Sequence, residues 1–262
     1  MNRLFLIFSL VLIISACSSS NDPEQKMPPT EVNTLKLWIN SDMNSLTLKL
    51  RQYADSIKIN GSDSTNIREV LIQLMGKSEF AYDITFISSD GIITMVEPSD
   101  YSVVINKNLN QEESYQRMLQ TKDVVFSYSF DAWEGVRGAT LVVPIYQDDV
   151  FIGALSALID VNEYLKGLIY DLKLESGLTL WAFENIGTVL IYRKNEEIGK
   201  NIFYDEYFDA DFRAACETII SSLSGNTSYK YTDGNNQTKS REVWWNTVKI
   251  HGVEWKIVSE QE

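Results

Sequence analysis

The chain is poor in cysteine, proline, histidine and positive charge, and each shortage narrows what it can do. Two cysteines in 262 residues, Cys17 and Cys216, supply no disulfide framework. A single histidine, His251, excludes histidine-based triads and multi-histidine metal sites. Only five prolines are present, which argues against a disordered chain. Lys and Arg total 23 against 36 Asp and Glu, a formal net charge of −13 that makes nucleic acid and anionic lipid surfaces poor partners. No G-x-S-x-G elbow, phosphate loop or dinucleotide fingerprint occurs. No apolar run after residue 16 approaches the roughly 18 residues of a membrane-spanning helix. What is present, 44% apolar and 11% aromatic residues, suits a folded globule of one large or two small domains.

The start is export-like. Asn2 and Arg3 lead into the apolar stretch Leu4 to Ile14, too short to span a bilayer, and Ser15-Ala16-Cys17 follow. Residues 1–16 are therefore predicted to be a signal peptide. The sequence Ile13-Ile14-Ser15-Ala16-Cys17 resembles the lipobox of lipoproteins, which implies cleavage before Cys17 and a diacylglyceryl thioether on its sulfur. Residues 17–32, with three serines at 18–20, Pro23, Pro28 and Pro29, have almost nothing to bury and read as a flexible tether.

Periodicity divides the rest. Leu35, Trp38, Ile39, Met43, Leu46, Leu50, Tyr53 and Ile57 keep helical spacing from Val32 to about Ile59, which predicts one long amphipathic helix. Asn60-Gly61-Ser62-Asp63 breaks it, and a second helix carrying Ile67, Val70, Leu71, Leu74 and Met75 is expected to stop at Gly76. These helices make up a segment 33–78. Strands are then predicted at Ala81–Ser88 and Ile92–Val96 around Ser89-Asp90-Gly91. A helix over Gln111–Thr121 follows, then a half-buried strand over Val124–Phe130, with Val124, Phe126, Tyr128 and Phe130 on one face. Ala139–Tyr146 and Phe151–Ile159 form a hairpin across Gln147-Asp148-Asp149-Val150, giving a sheet of about five strands.

A helix from Val161 to about Leu174 closes the unit 79–174, and 175–262 repeats the order in shorter form. Its strands are expected near Leu178–Phe183, Val189–Tyr192, Thr227–Thr232, Arg241–Thr247 and Trp255–Ser259, with a helix over Asp209–Ser222. The fold class is α+β: a long N-terminal helix followed by two tandem antiparallel-sheet modules. Cys216 lies in the apolar pattern of that last helix and reads as a buried thiol. Asp205, Glu206, Asp209 and Asp211 sit before or at its start, where carboxylates favour the helix dipole, and their spacing fits no calcium loop.

Serial landmarks give these modules a family likeness. Phe86-Ile87-Ser88-Ser89-Asp90-Gly91, Val142-Val143-Pro144-Ile145, Phe151-Ile152-Gly153-Ala154-Leu155 and Leu158-Ile159-Asp160-Val161 resemble the Cache family of extracytoplasmic sensor domains. Gly187, Ile198-Gly199-Lys200-Asn201, Ser224-Gly225 and Gly252-Val253-Glu254-Trp255-Lys256 resemble the membrane-proximal half of the double Cache form. The resemblance covers roughly residues 33–260 and implies PAS-like modules, the first (79–174) membrane-distal and ligand-binding, the second (175–262) membrane-proximal. It further implies a pocket bounded by the segment from about Glu97 to Val124, with Tyr101, Tyr115, Arg117, Phe126, Tyr128, Phe130, Asp131, Trp133 and Asp160 as ligand-binding candidates. Amino-acid-binding relatives grip the ligand carboxylate with an arginine followed closely by Trp-Tyr and the ammonium with an aspartate after the fifth strand. Asp160 matches the aspartate, but Arg117 is followed by Met118-Leu119, so the carboxylate grip is missing and an amine or another small metabolite is the expected ligand.

Plainer readings stand beside these. Asp160 and Glu163 also form a capping box. Phe126, Tyr128 and Phe130 at period two suit a core, Arg117 suits a solvated helix face, and Trp244, Trp245 and Trp255 suit the packing of the second sheet. The function expected is that of a lipid-anchored extracytoplasmic sensor-like protein in the cell envelope that binds a small molecule and signals through a membrane partner, with no cofactor, no metal and no enzymatic activity. Its alternatives are a ligand-free lipoprotein that docks another envelope protein and, remotely, a carboxylate-based hydrolase. Related receptors pair through their long helix, so a homodimer is a further expectation.

Overall fold

The computed structural model describes residues 29–261 except Ser62, Glu175 and Ser176, together with the backbone but not the side chain of Asn60. Cys17, the signal sequence and most of the tether lie outside the described residues. The first element, α1 (Thr30–Asn60), is 31 residues long, or about 46 Å at 1.5 Å per residue. Its apolar positions recur every three or four residues from Val32 to Ile57, so one stripe is buried along its full length. A short turn leads to α2 (Ser64–Lys77), whose first turn is capped by Asp63 accepting from the Thr65 and Asn66 amides. The stop expected at Gly76 comes one residue later: Gly76 is helical, with open space where its Cβ would be.

The distal sheet is built from β1 (Asp83–Ser88), β2 (Ile93–Glu97), β3 (Val125–Phe126), β4 (Phe130–Asp131), β5 (Arg137–Gln147) and β6 (Val150–Asp160). Its order is β2-β1-β6-β5-β3, with β4 also paired to β5, and the strand pairs are antiparallel. Between β2 and β3 run a 3₁₀ helix, Ser99–Val104, and α3 (Glu113–Thr121). Asp148 and Asp149 join β5 to β6 with both residues at positive φ (49° and 62°), the backbone that a two-residue hairpin turn demands. Gly91 turns the first hairpin at φ 82°, and a Cβ there would lie 2.3 Å from Asn110 Oδ1. After β6, α4 (Val161–Asp171) leads to the proximal sheet of β7 (Leu178–Glu184), β8 (Val189–Ile191), β9 (Ser224–Thr232), β10 (Thr238–Ile250) and β11 (Val253–Gln261). Its order, β8-β7-β11-β10-β9, repeats the distal topology, with α5 (Ala210–Ile220) in the connecting segment.

The strand expected over Val124–Phe130 is two short strands, β3 and β4, with a bulge between them. Phe126 pairs with Leu141 and Phe130 with Gly138, so four steps along one chain face three along the other. One extra residue reverses the alternation. Phe126 turns into the core on α1, while Phe130 is displaced to the surface, 37% exposed.

The main core joins both modules. It contains the α1 stripe, Phe86, Leu141 and Leu155 of the distal sheet, and Val248, Trp255 and Ile257 of the proximal one. Trp255, expected to pack the second sheet, also meets Phe126 edge-on across the seam with centroids 5.5 Å apart. Trp255→Ala should cost about 3–5 kcal/mol and lower the urea midpoint of a single transition seen alike by far-ultraviolet circular dichroism and fluorescence. A separate early loss of the proximal sheet would contradict a shared core.

Candidate functional site

Between the distal sheet and the α3 segment lies a cavity of about 490 Å³, within the size range of small-molecule sites. Its floor follows from strand alternation. Asp83, Thr85 and Ile87 of β1 face it, while Ile84 and Phe86 between them face α1. The register continues the floor sideways: Asp83 lies opposite Leu158 and Thr85 opposite Ser156, and these pair in turn with Thr140 and Val142 of β5. Ser127 extends it across the bulge, its amide donating to Thr140 O at 2.9 Å and its hydroxyl accepting from Thr140 N at 2.9 Å. Tyr115 of α3, 2% exposed, forms part of the opposite wall. Phe130, Asp131, Trp133, Glu134, Glu112 and Glu113 stand around the mouth.

In the proximal module, among the described residues, side chains fill the place beneath α5. Where β1 presents Asp83 and Thr85, β7 presents Trp181 and Phe183, stacked at 5.3 Å, and Phe212, Cys216 and Ile219 of α5 pack into the same cluster with Tyr229 and Trp245. Cys216 is free and fully buried, and burial pushes its thiol far up. The same topology thus carries an aromatic core in one module and a polar-floored cavity in the other.

The sequence candidates distribute unevenly over this geometry. Tyr115, Tyr128, Phe130, Asp131 and Trp133 line the cavity. Tyr101 does not; it stacks on Tyr82 at 4.7 Å, and a hydrogen bond between the two phenols, then burial and nearby Asp160 and Glu134, push the Tyr82 phenol up to about 12. Arg117 points to the seam between modules, where it donates to Phe126 O and its guanidinium lies 3.3 Å from the point where a Cβ on Gly252 would sit. Phe126, fully buried, lies on the α1 side of the sheet. Asp160 caps α4, accepting from the Glu163 amide at 3.1 Å. It borders instead a wider groove of about 870 Å³, open to solvent, whose charges pair with one another: Lys166 with Glu163 at 2.8 Å and Lys200 with Asp205 at 3.5 Å. Arg137, on the same groove, bonds Asp131 at 2.8 Å.

The residues that sequence reasoning missed are the small polar ones of the floor and, above all, Asp83. It is 1% exposed, and its Oδ2 has no hydrogen-bond donor. Burial first, then contact with the Glu134 carboxyl, raises it from 3.8 to about 9, against a backbone hydrogen bond at Leu158 that works the other way. Two carboxyls in contact with no cation between them hold a proton. A second buried acid, Glu184 of β7, fully covered, accepts from the Ser129 amide at 2.6 Å and so ties the cavity-lining segment to the proximal sheet. Burial raises it to about 7, opposed by Ser129, Thr188 and Arg137. Among the described residues no group of three or more His, Cys, Asp and Glu side chains is placed to hold a metal, and no helix is long and apolar enough to cross a membrane.

Residues 41–161 match the profile of the HK/GC/chemotaxis protein-like sensor domain. The fold is that of tandem Cache (PAS-like) modules. The chain superposes on an extracellular ligand binding receptor from Desulfohalobium retbaense with a TM-score of 0.74 and 21% identity, over 88% of this chain and 39% of that one. The periplasmic sensory domain of the Campylobacter jejuni chemoreceptor Tlp1 gives 0.68 and 11% over 88% and 92%. The ligand-binding domain of the Pseudomonas aeruginosa amino acid chemoreceptor PctB, in complex with L-Arg, gives 0.64 and 13% over 88% and 90%. No curated protein matches this chain.

The raised Asp83 has a measurable consequence. Its folded value of about 9 lies above the unfolded value near 3.8, so the native state holds a proton that the unfolded state gives up, and stability falls as pH rises between them. Asp83→Asn removes that slope. The variant should melt higher than the parent at pH 8 and converge with it near pH 4, by differential scanning calorimetry; a lower melting temperature at pH 8 would show that Asp83 is ionised and paired.

Proposed function

We propose that this chain is an extracytoplasmic, lipid-tethered ligand-binding protein, in which a small organic molecule occupies the distal cavity and a membrane partner reads the result. The observation that carries the reading is the contrast between the modules: a cavity of about 490 Å³ with a buried, unpartnered carboxyl in one, and a filled aromatic core at the matching place in the other. A carboxyl oxygen buried without a donor beside open space calls for an explanation, and a ligand supplies one. The named relatives, described as ligand-binding or sensory domains, support the same use, as does the absence of any catalytic constellation readable in the sequence. Attachment rests on Cys17, and the long helix, starting at Thr30, takes in the last residues expected for the tether. Two acyl chains on that cysteine would hold the protein on a bilayer durably. The ligand site draws on Tyr115, Tyr128, Phe130, Asp131 and Trp133 together with the Asp83 floor.

Two measurements test this. A thermal-shift panel of amines, amino acids and carboxylates on the full chain in detergent should contain a compound that raises the melting temperature by about 5–10 °C at a hundredfold excess over its Kd. No stabiliser in the panel would favour a ligand-free docking role. Cys17→Ser should move the protein from the membrane to the soluble fraction of the cell envelope; unchanged membrane retention would remove the lipid from the account.

A further inference from the structure

The distal cavity has acid on its floor and acid at its mouth, and none of its lining residues is Lys, Arg or His. Asp83 is the deepest of these acids, 1% exposed, with Oδ2 facing no donor. The groups around it come from every wall. Glu134 approaches from the loop after β4, Asp131 lies on β4, and Glu112 and Glu113 stand at the start of α3. The strands beside Asp83 contribute only neutral side chains, Leu158 and Ser156 from β6 and Thr140 and Val142 from β5. Two cations engage residues of the lining: Arg137 bonds Asp131 at 2.8 Å, and Lys107 Nζ lies 5.3 Å from the centre of the Trp133 ring.

We infer that the cavity takes a primary organic ammonium without a carboxylate, and that the ammonium replaces the proton held on buried Asp83. This rests on the reading of the cavity as a ligand site. The exchange balances as one cation in and one proton out: Asp83 gives its proton to buffer, and N–H groups of the ligand donate to both carboxylates. Oδ2 of Asp83 then gains the donor it lacks, and a buried charge gains the partner that its burial requires. A ligand carboxylate would meet acids and no donor of positive charge, which is the element that discriminates against amino acids. The rings of Phe130 and Trp133 at the mouth offer aromatic faces to the incoming cation. The high proton affinity of Asp83, set by burial and Glu134, fits a pair that holds a proton when no ligand is bound.

Matched pairs test this on the full chain in detergent: butylamine against 4-aminobutyrate, and phenethylamine against phenylalanine, by isothermal titration calorimetry at pH 7.5 in phosphate and in Tris. The amine of at least one pair should bind tenfold or more tighter than its carboxylate-bearing partner, with the buffer difference reporting release of about one proton. Its affinity should rise about tenfold per pH unit between pH 6 and 8, the slope that release of one proton imposes. Asp83→Asn and Glu134→Gln should each weaken binding, and Asp83→Asn should abolish the proton release. Equal binding of amine and amino acid, or binding with no proton released by the parent protein, overturns the ammonium exchange while leaving the cavity a ligand site. Failure of all four compounds overturns it too, and the thermal-shift panel then decides whether the ligand reading falls with it.

Discussion

One buried stripe, along a helix of 31 residues, belongs to two sheets at once, and the rest of the molecule is arranged around that sharing. An isolated sheet of this size has one face to bury; here both sheets bury theirs on α1. Polar contacts mark the stripe's course. Lys36 bonds Asn246 in the proximal sheet at 2.8 Å, Asp42 accepts from Tyr164 of α4 at 2.9 Å, Thr47 meets His251 at 3.0 Å, and Arg51 reaches Asp123 beside β3 at 2.7 Å. Exposed pairs such as the last contribute little, so the apolar stripe sets the order of modules along the helix and the polar contacts fix its rotation.

With α1 occupying one face of the distal sheet, only the opposite face is available for a cavity. The alternation of β1 then does two things with one strand: Ile84 and Phe86 anchor the sheet to α1, and Asp83, Thr85 and Ile87 line the cavity. The bulge between β3 and β4 serves the same division. It sends Phe126 to the seam with Trp255 while bringing Ser127 and Ser129 to the cavity. Ser129 also donates its amide to Glu184 of the proximal sheet, so the wall of the cavity and the edge of the second module share a hydrogen bond. A ligand that moves this segment acts directly on the seam.

The long helix, the repeated module order and most strands were legible in the sequence because each rests on a periodicity that one long element repeats several times. Asp160 was legible as a cap for a different reason: Glu163 three residues on completes a local pattern, and the cap depends on nothing distant. The cavity was harder to read. Aromatic side chains at Phe126 and Tyr101 drew attention, yet a single-residue bulge and a stack on Tyr82 turn both elsewhere, and neither leaves a trace in alternation alone. Thr85, Thr140 and Ser156 are ordinary strand residues until register sets them side by side. Asp83 lies inside the strand expected over Ala81–Ser88 with nothing local to single it out; only the fold shows that it is buried and that Glu134, far along the chain, acts on it. Arg117 likewise reads as a surface arginine, and its carbonyl partner Phe126 O exists only because β3 passes beneath α3.

Because both sheets bury one face on α1, the link between the modules is the part of the fold on which the rest turns. Native-state hydrogen exchange on the full chain tests that link most directly. The account predicts that the slowest amides of α1, of β1 and β6 in the distal sheet, and of β7 and β11 in the proximal sheet open together with one shared free energy. A proximal sheet that opens well below the distal one, with α1 protected only along half its length, would contradict it.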